Sequence, residues 1–213
     1  MTDRLPIAVL VSGTGTNLGA LLETVHGVQA QIVGVASSVA GVPALERAET
    51  AGVPTAVFPR GEYPDRGARD DALADWIEAR GAQLVVLAGY MELLGARFLD
   101  RFPDAVINVH PSLLPAFPGL GAIEQALAYG VKVFGVTVHF VDAGVDSGCV
   151  ILQRAVELPH ARDPADVLAA LRPLEHALLP QAVRLIAAGA LKADPENPRR
   201  QLIDRAALAA DEG

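Results

Sequence analysis

A single cysteine, Cys149, stands among the 213 residues, so no intrachain disulfide framework holds this chain. Aromatic residues make up only 5% of it, and its core must be mainly aliphatic. Basic residues are outnumbered, 17 against 25 acidic, which gives a formal net charge of −8. That balance argues against a nucleic-acid or anionic-membrane partner, although a local basic pocket is compatible with it. No hydrophobic stretch runs far without Gly, Pro or a charge, so none reads as a membrane span. The opening MTDRLPIAVLVSG has no secretory pattern, because its apolar run is short and leads into a glycine turn. A cytoplasmic protein is the expectation. What the chain does have is apolar bulk: 51% hydrophobic residues, enough for a sizeable core. Its length suits one large α/β domain.

Aliphatic runs alternate with helical patterns. LPIAVLVSG, AQIVGVASS, PTAVF, AQLVVLAG and AVINVH read as strands. Between them TNLGALLETVHG, VPALERAETAG and DRGARDDALADWIEARG each end in glycine, a common helix stop. This alternation predicts a Rossmann-like α/β fold with a mostly parallel sheet flanked by helices. KVFGVTVHFVDAG and CVILQRAVELP are joined too closely for a helix, so they predict an antiparallel C-terminal strand pair. A helix from about Pro164 to Ala188 follows, then a polar tail whose end is expected to be loosely ordered.

Two places carry chemistry. The first is VSGTGTNLGALL, where a strand enters a glycine-rich turn and a helix leaves it. A helix N-terminus offers unpaired N–H groups and a positive dipole end to an anion. Gly13 and Gly15 allow close backbone approach, and Thr14, Thr16 and Asn17 add donors and candidate helix caps. A dinucleotide fingerprint fails, because Leu18 stands where the third glycine belongs and no acidic residue ends the second strand. A P-loop fails for lack of its Gly-Lys-Ser/Thr end. A single phosphate-monoester site and an ordinary βα turn both remain open on this stretch alone.

The second is INVHPSLLP. Asn108 and His110 stand two apart at the end of an apolar strand, so they share one face. In open α/β sheets ligands sit at the carboxyl ends of strands, where this pair falls if its strand is parallel to the first. HFVDAGVDSGCVI supplies candidate acids, Asp142 and Asp146, in a glycine-rich loop that could equally be plain turn chemistry. A carboxylate beside a histidine favours imidazolium, and an amide with an imidazolium can stabilise a developing oxyanion. Ser12 and Ser112 lack a nucleophile elbow, and Cys149 reads as a small core residue. The five histidines show no zinc spacing, and His139 reads as a structural histidine near the site. With no evident protein nucleophile, direct transfer between two bound substrates is the expected reaction type.

In this order, SGTGTNL, LAGYMELL, INVHPSLLP, VTVHFVDAGVDSG and ILQ resemble the folate-dependent phosphoribosylglycinamide formyltransferases, or glycinamide ribonucleotide transformylases. The resemblance runs from about Ile7 to Leu191. It implies a single formyltransferase domain over 1–213, with a phosphate-binding half to about 105, a catalytic and folate-binding half over about 106–190, and a tail. It implies transfer of a formyl group from 10-formyltetrahydrofolate to the amine of 5-phosphoribosylglycinamide in de novo purine (IMP) biosynthesis. Asn108, His110 and Asp146 match the family's catalytic residues. Gly15, Thr16, Asn17 and Glu175 match the substrate site. Arg66, Met91, Glu92, Leu93, Leu94, Asn108, Asp142 and Gly144 match the folate site, with Arg66 open to either phosphate or folate. Glu92 departs from an arginine found in some members, and Gly121 and Ile123 replace polar residues. The implied partners are two small molecules, with formyl-folate as co-substrate, no metal, no nucleic acid and no membrane, in a monomer or homodimer. Two relatives share the Asn-x-His-Pro-Ser motif but lack SGTGTNL. Methionyl-tRNA formyltransferase adds a nucleic-acid-binding domain, and formyltetrahydrofolate hydrolase adds an N-terminal regulatory one. A folate or sugar-phosphate sensor without turnover is the non-enzymatic alternative.

Overall fold

The computed structural model describes residues 4–204. They divide into two compact units, one up to Ile107 and one from Asn108. In the first, β1 (Leu5–Val11), β2 (Ala30–Ser37), β3 (Thr55–Val57) and β4 (Leu84–Leu87) run parallel. The crossovers carry α1 (Thr16–Thr24), α2 (Pro43–Thr50) and α3 (Arg66–Glu78). β2 and β4 pair with opposite sides of β1, so the strand order reverses there. Ile7 to Val11 are all 0% exposed. Successive strand residues face opposite sides, so complete burial means that both faces are covered, and the sequence shows an unbroken aliphatic run rather than alternation.

A short helix, α4 (Ala96–Arg101), follows β4, and β5 (Val106–His110) leads the chain into the second unit. That unit holds α5 (Ala122–Tyr129), β6 (Val133–Phe140), β7 (Val150–Glu157) and α6 (Pro164–Ala187). β6 and β7 are antiparallel, as the short link between them requires. Val167, Leu171, Leu178 and Val183 form part of the buried side of α6, which packs on this strand pair. Pro164 stands in the first turn of α6, where its missing N–H costs nothing, and Asp163 caps the helix by accepting from Ala165 N at 2.7 Å. The chain is therefore a Rossmann-like mostly parallel α/β fold with an antiparallel C-terminal strand pair.

Two helices and a hairpin escape the sequence patterns. α4 is six residues long, shorter than two turns and too brief to show a period. α5 starts right after Gly121, within a stretch that had no assignment, and Ile123 is buried in it. The polar tail is a further difference. Its first part is a hairpin of β8 (Leu191–Asp194) and β9 (Asn197–Ile203), and β9 also pairs in parallel with β7 at Val150 and Arg200. Lys192 pairs with Asp204 at 2.8 Å, and Arg200 pairs with Asp194. Main-chain bonds and ion pairs need little apolar patterning, so the sequence read as plain polar tail. The end expected to be loosely ordered, 205–213, lies outside the described residues.

Candidate active site

β5 ends by delivering two polar side chains to one carboxylate. His110 Nδ1 lies 3.3 Å from Asp146 Oδ2, and Asn108 Nδ2 lies 3.5 Å from Asp146 Oδ1. The strand alternation that puts Asn108 and His110 on one face is thus realised as contact with a shared partner. Asp146 sits in the loop between β6 and β7 and also accepts from Gly119 N at 2.7 Å. His139 completes the group: its Nε2 is 3.5 Å from Asp146 Oδ1 and 3.3 Å from Asn108 Nδ2. Its Nδ1 lies 2.8 Å from the Phe140 carbonyl, which fixes a proton on that nitrogen. His139 is buried and bonded beside the site, as its place in VTVHFV suggested.

Burial works against the charge on Asp146. The His139 hydrogen bond, the Gly119 N–H and the nearness of His110 outweigh it and hold the carboxyl at about 2, below its ordinary 3.8. Both ring nitrogens of His110 face acceptors, since Nε2 lies 2.9 Å from the Phe117 carbonyl. Phe117 and Asp146, the two residues that flank His110, hold positive φ angles of 53° and 49°. Such backbone costs about 1–3 kcal/mol per residue and gathers where a site needs a particular geometry.

The segments that carry these groups are pinned from below. Thr137 Oγ1 donates to the Ser112 carbonyl at 2.7 Å and accepts from Leu114 N at 3.1 Å. Gln153 Nε2 reaches the Leu114 carbonyl at 2.8 Å and Thr137 Oγ1 at 2.9 Å. Gln153, the last residue of ILQ, thereby helps to set the loop after His110. Ser112 donates to Ala116 O at 2.6 Å, a structural use of its hydroxyl. Gly148 closes the loop that carries Asp146; a Cβ there would stand 1.9 Å from the Phe140 carbonyl oxygen. Asp142, whose carboxylate accepts from Gly144 N at 3.0 Å and Ser147 Oγ at 2.6 Å, shapes the same loop and is exposed, as is Gly144.

In the first unit, the loops after β1 and β4 meet where the strand order reverses, the usual ligand position in such sheets. Met91 N donates to Ser12 Oγ at 3.0 Å, and Ser12 N donates to the Gly89 carbonyl at 3.1 Å. The glycine turn therefore adjoins the Met91–Leu94 segment. The cap position of α1 belongs to Gly15, with φ of 70°, rather than to Thr14, Thr16 or Asn17. A Cβ on Gly15 would lie 2.6 Å from Ala44 Cβ, so α2 packs directly on the turn. Gly13 faces open space, and Thr16 and Asn17 occupy the first turn of α1. Arg66 opens α3, exposed, with its guanidinium beside Gly95 at the end of the same segment. Glu175 is buried on α6. The residue that sequence reasoning missed is Arg69. It is only 1% exposed and ion-paired to Asp70 and Glu92, both at 2.9 Å.

This architecture is that of an α/β protein with a polar cluster gathered at the end of β5. Residues 5–183 match the formyl transferase family model, and the chain belongs to the formyl transferase family. The crystal structure of glycinamide ribonucleotide transformylase 1 from Symbiobacterium toebii superimposes with a TM-score of 0.90 at 45% identity, covering 94% of each chain. The phosphoribosylglycinamide formyltransferase of Haemophilus influenzae is 37% identical over 188 residues, 87% of this chain and 89% of that protein. The trifunctional purine biosynthetic protein adenosine-3 of Drosophila pseudoobscura is 41% identical over 193 residues, and the chain spans only 14% of its length.

Proposed function

We propose that this chain transfers the formyl group of 10-formyltetrahydrofolate to the amine of 5-phosphoribosylglycinamide, acting in purine synthesis in the cytoplasm as a monomer or homodimer. The observation that carries this is the convergence of Asn108 and His110 on Asp146, at 3.5 and 3.3 Å. The named relatives, a phosphoribosylglycinamide formyltransferase and a glycinamide ribonucleotide transformylase, support this reading of the acceptor.

In this reading the substrate amine attacks the formyl carbon, a C–N bond forms, and the carbonyl oxygen gains negative charge. Asn108 Nδ2 and the protonated His110 ring donate to that oxygen as its charge develops, the interaction that lowers the barrier. His110 exchanges its Nε2 bond to the Phe117 carbonyl for one to the substrate. When the bond from the formyl carbon to the folate nitrogen breaks, His110 supplies the proton that the leaving nitrogen needs. Asp146 keeps the imidazole oriented and charged and relays the proton lost by the amine through water. Gly15, Thr16 and Asn17 hold the phosphate at the head of α1, and Glu175 assists that substrate. Met91–Leu94, Arg66, Asp142 and Gly144 serve the folate.

The test is a two-substrate assay on purified protein that follows tetrahydrofolate formation with and without phosphoribosylglycinamide. Product that depends on the amine supports the transferase. Equal release without the amine makes the chain a hydrolase, and no release despite ligand binding makes it a sensor.

A further inference from the structure

Arg69 and Asp70 stand side by side on α3, and each is only 1% exposed. A buried guanidinium loses its hydration and is retained only where partners replace it. Arg69 meets that demand on two sides. Its Nη2 and Nε lie 2.9 and 3.3 Å from Asp70 Oδ1, and its Nη1 lies 2.9 Å from Glu92 Oε2. Nη2 also reaches the Leu93 carbonyl at 3.4 Å, while Asp70 Oδ2 accepts from Gly95 N at 2.8 Å. Two adjacent helix residues thus grip positions 92, 93 and 95, and Ser12 takes Met91 N at 3.0 Å.

Between these anchors the side chains of Met91 and Leu93 are 63% and 60% exposed. Large apolar side chains turned outward on a firmly held strap mark a surface made to receive something flat and apolar. Glu92, which replaces an arginine found in some members of the family, acquires a purpose here. Its carboxylate is turned to Arg69, so it is held by the protein rather than offered to a ligand.

We propose that Arg69 is a positioning residue for the formyl-folate co-substrate, setting the Met91–Leu94 backbone through Glu92 and the Leu93 carbonyl in the arrangement that receives the pterin ring. This rests on the reading of that segment as the folate site given above. Arg69 touches no reacting atom and acts through the strap.

The experiment measures tetrahydrofolate binding by calorimetry, together with KM for both substrates and kcat, in wild type, Arg69→Met, Glu92→Ala and Glu92→Gln. Loss of one charge-assisted contact that orders a binding segment corresponds to about a tenfold change in affinity. The expected result is that Kd and the folate KM rise by about that factor in Glu92→Ala, more than kcat or the amine KM change. Glu92→Gln still accepts from Arg69 Nη1 and recovers most of the loss. Arg69→Met strands Asp70 and can unfold the chain; the Glu92 side chain is 28% exposed, and its variants then carry the test alone. Unchanged Kd and folate KM in Glu92→Ala overturn the proposal, as does a uniform fall in activity that follows the melting temperature. Wild-type protein that binds no tetrahydrofolate overturns instead the functional reading beneath it.

Discussion

Replacing Asp146 by asparagine keeps the shape of the side chain and removes its charge. Asparagine tolerates the positive φ of 49° at this position, so the backbone gains no new strain. The carboxylate has partners on both oxygens: Gly119 N and His110 Nδ1 at one, Asn108 Nδ2 and His139 Nε2 at the other. An amide satisfies one of these sides and turns its own N–H₂ toward the other. A donor left unpaired in such a place costs about 1–3 kcal/mol. The effect on turnover is larger, because His110 loses the carboxylate that orients its ring. General acid–base assistance of this kind contributes about 100- to 10,000-fold, and kcat should fall by a factor in that range. The assay is kcat at saturation in both substrates, with melting curves from pH 7 to pH 2. In the folded chain the carboxyl titrates at about 2, against an ordinary 3.8. Between those values the folded state binds fewer protons than the unfolded one, so Asp146 stabilises the fold fully well above pH 3.8 and loses that contribution as the pH falls toward 2. The gap in melting temperature between wild type and Asp146→Asn should therefore narrow over that window. A kcat within tenfold of wild type, or a gap that does not depend on pH, would refute the role given to Asp146.

Three other substitutions test neighbouring links. Asn108→Ala removes the proposed oxyanion donor and should lower kcat about 100- to 1000-fold with little change in KM, read by steady-state kinetics. Gly15→Ala places a Cβ at the 2.6 Å contact with Ala44 in a left-handed residue. It should lose about 1–3 kcal/mol in urea unfolding and raise KM for the phosphorylated amine before that for folate. Gln153→Leu takes a donor from both the Leu114 carbonyl and Thr137. It should lose about 1–3 kcal/mol in the same unfolding assay and lower kcat, because the loop after His110 is no longer pinned.

Aliphatic runs, glycine-ended helices and the two-residue spacing of Asn108 and His110 were all readable before any coordinates, because strand burial and strand alternation are local rules that leave a period in the sequence. The order of β1, β2 and β4, the meeting of Ser12 with Met91, and the choice of Asp146 over Asp142 as partner of His110 depend on segments tens of residues apart, and only packing decides them. α4 is too short to show a period, and β8 and β9 are joined by backbone bonds and surface ion pairs that leave no apolar pattern. Arg69 is the sharpest case. Its letter is the same whether it points into water or into the core, and only the tertiary structure, by burying it to 1% against Asp70 and Glu92, makes it the residue that fixes the strap.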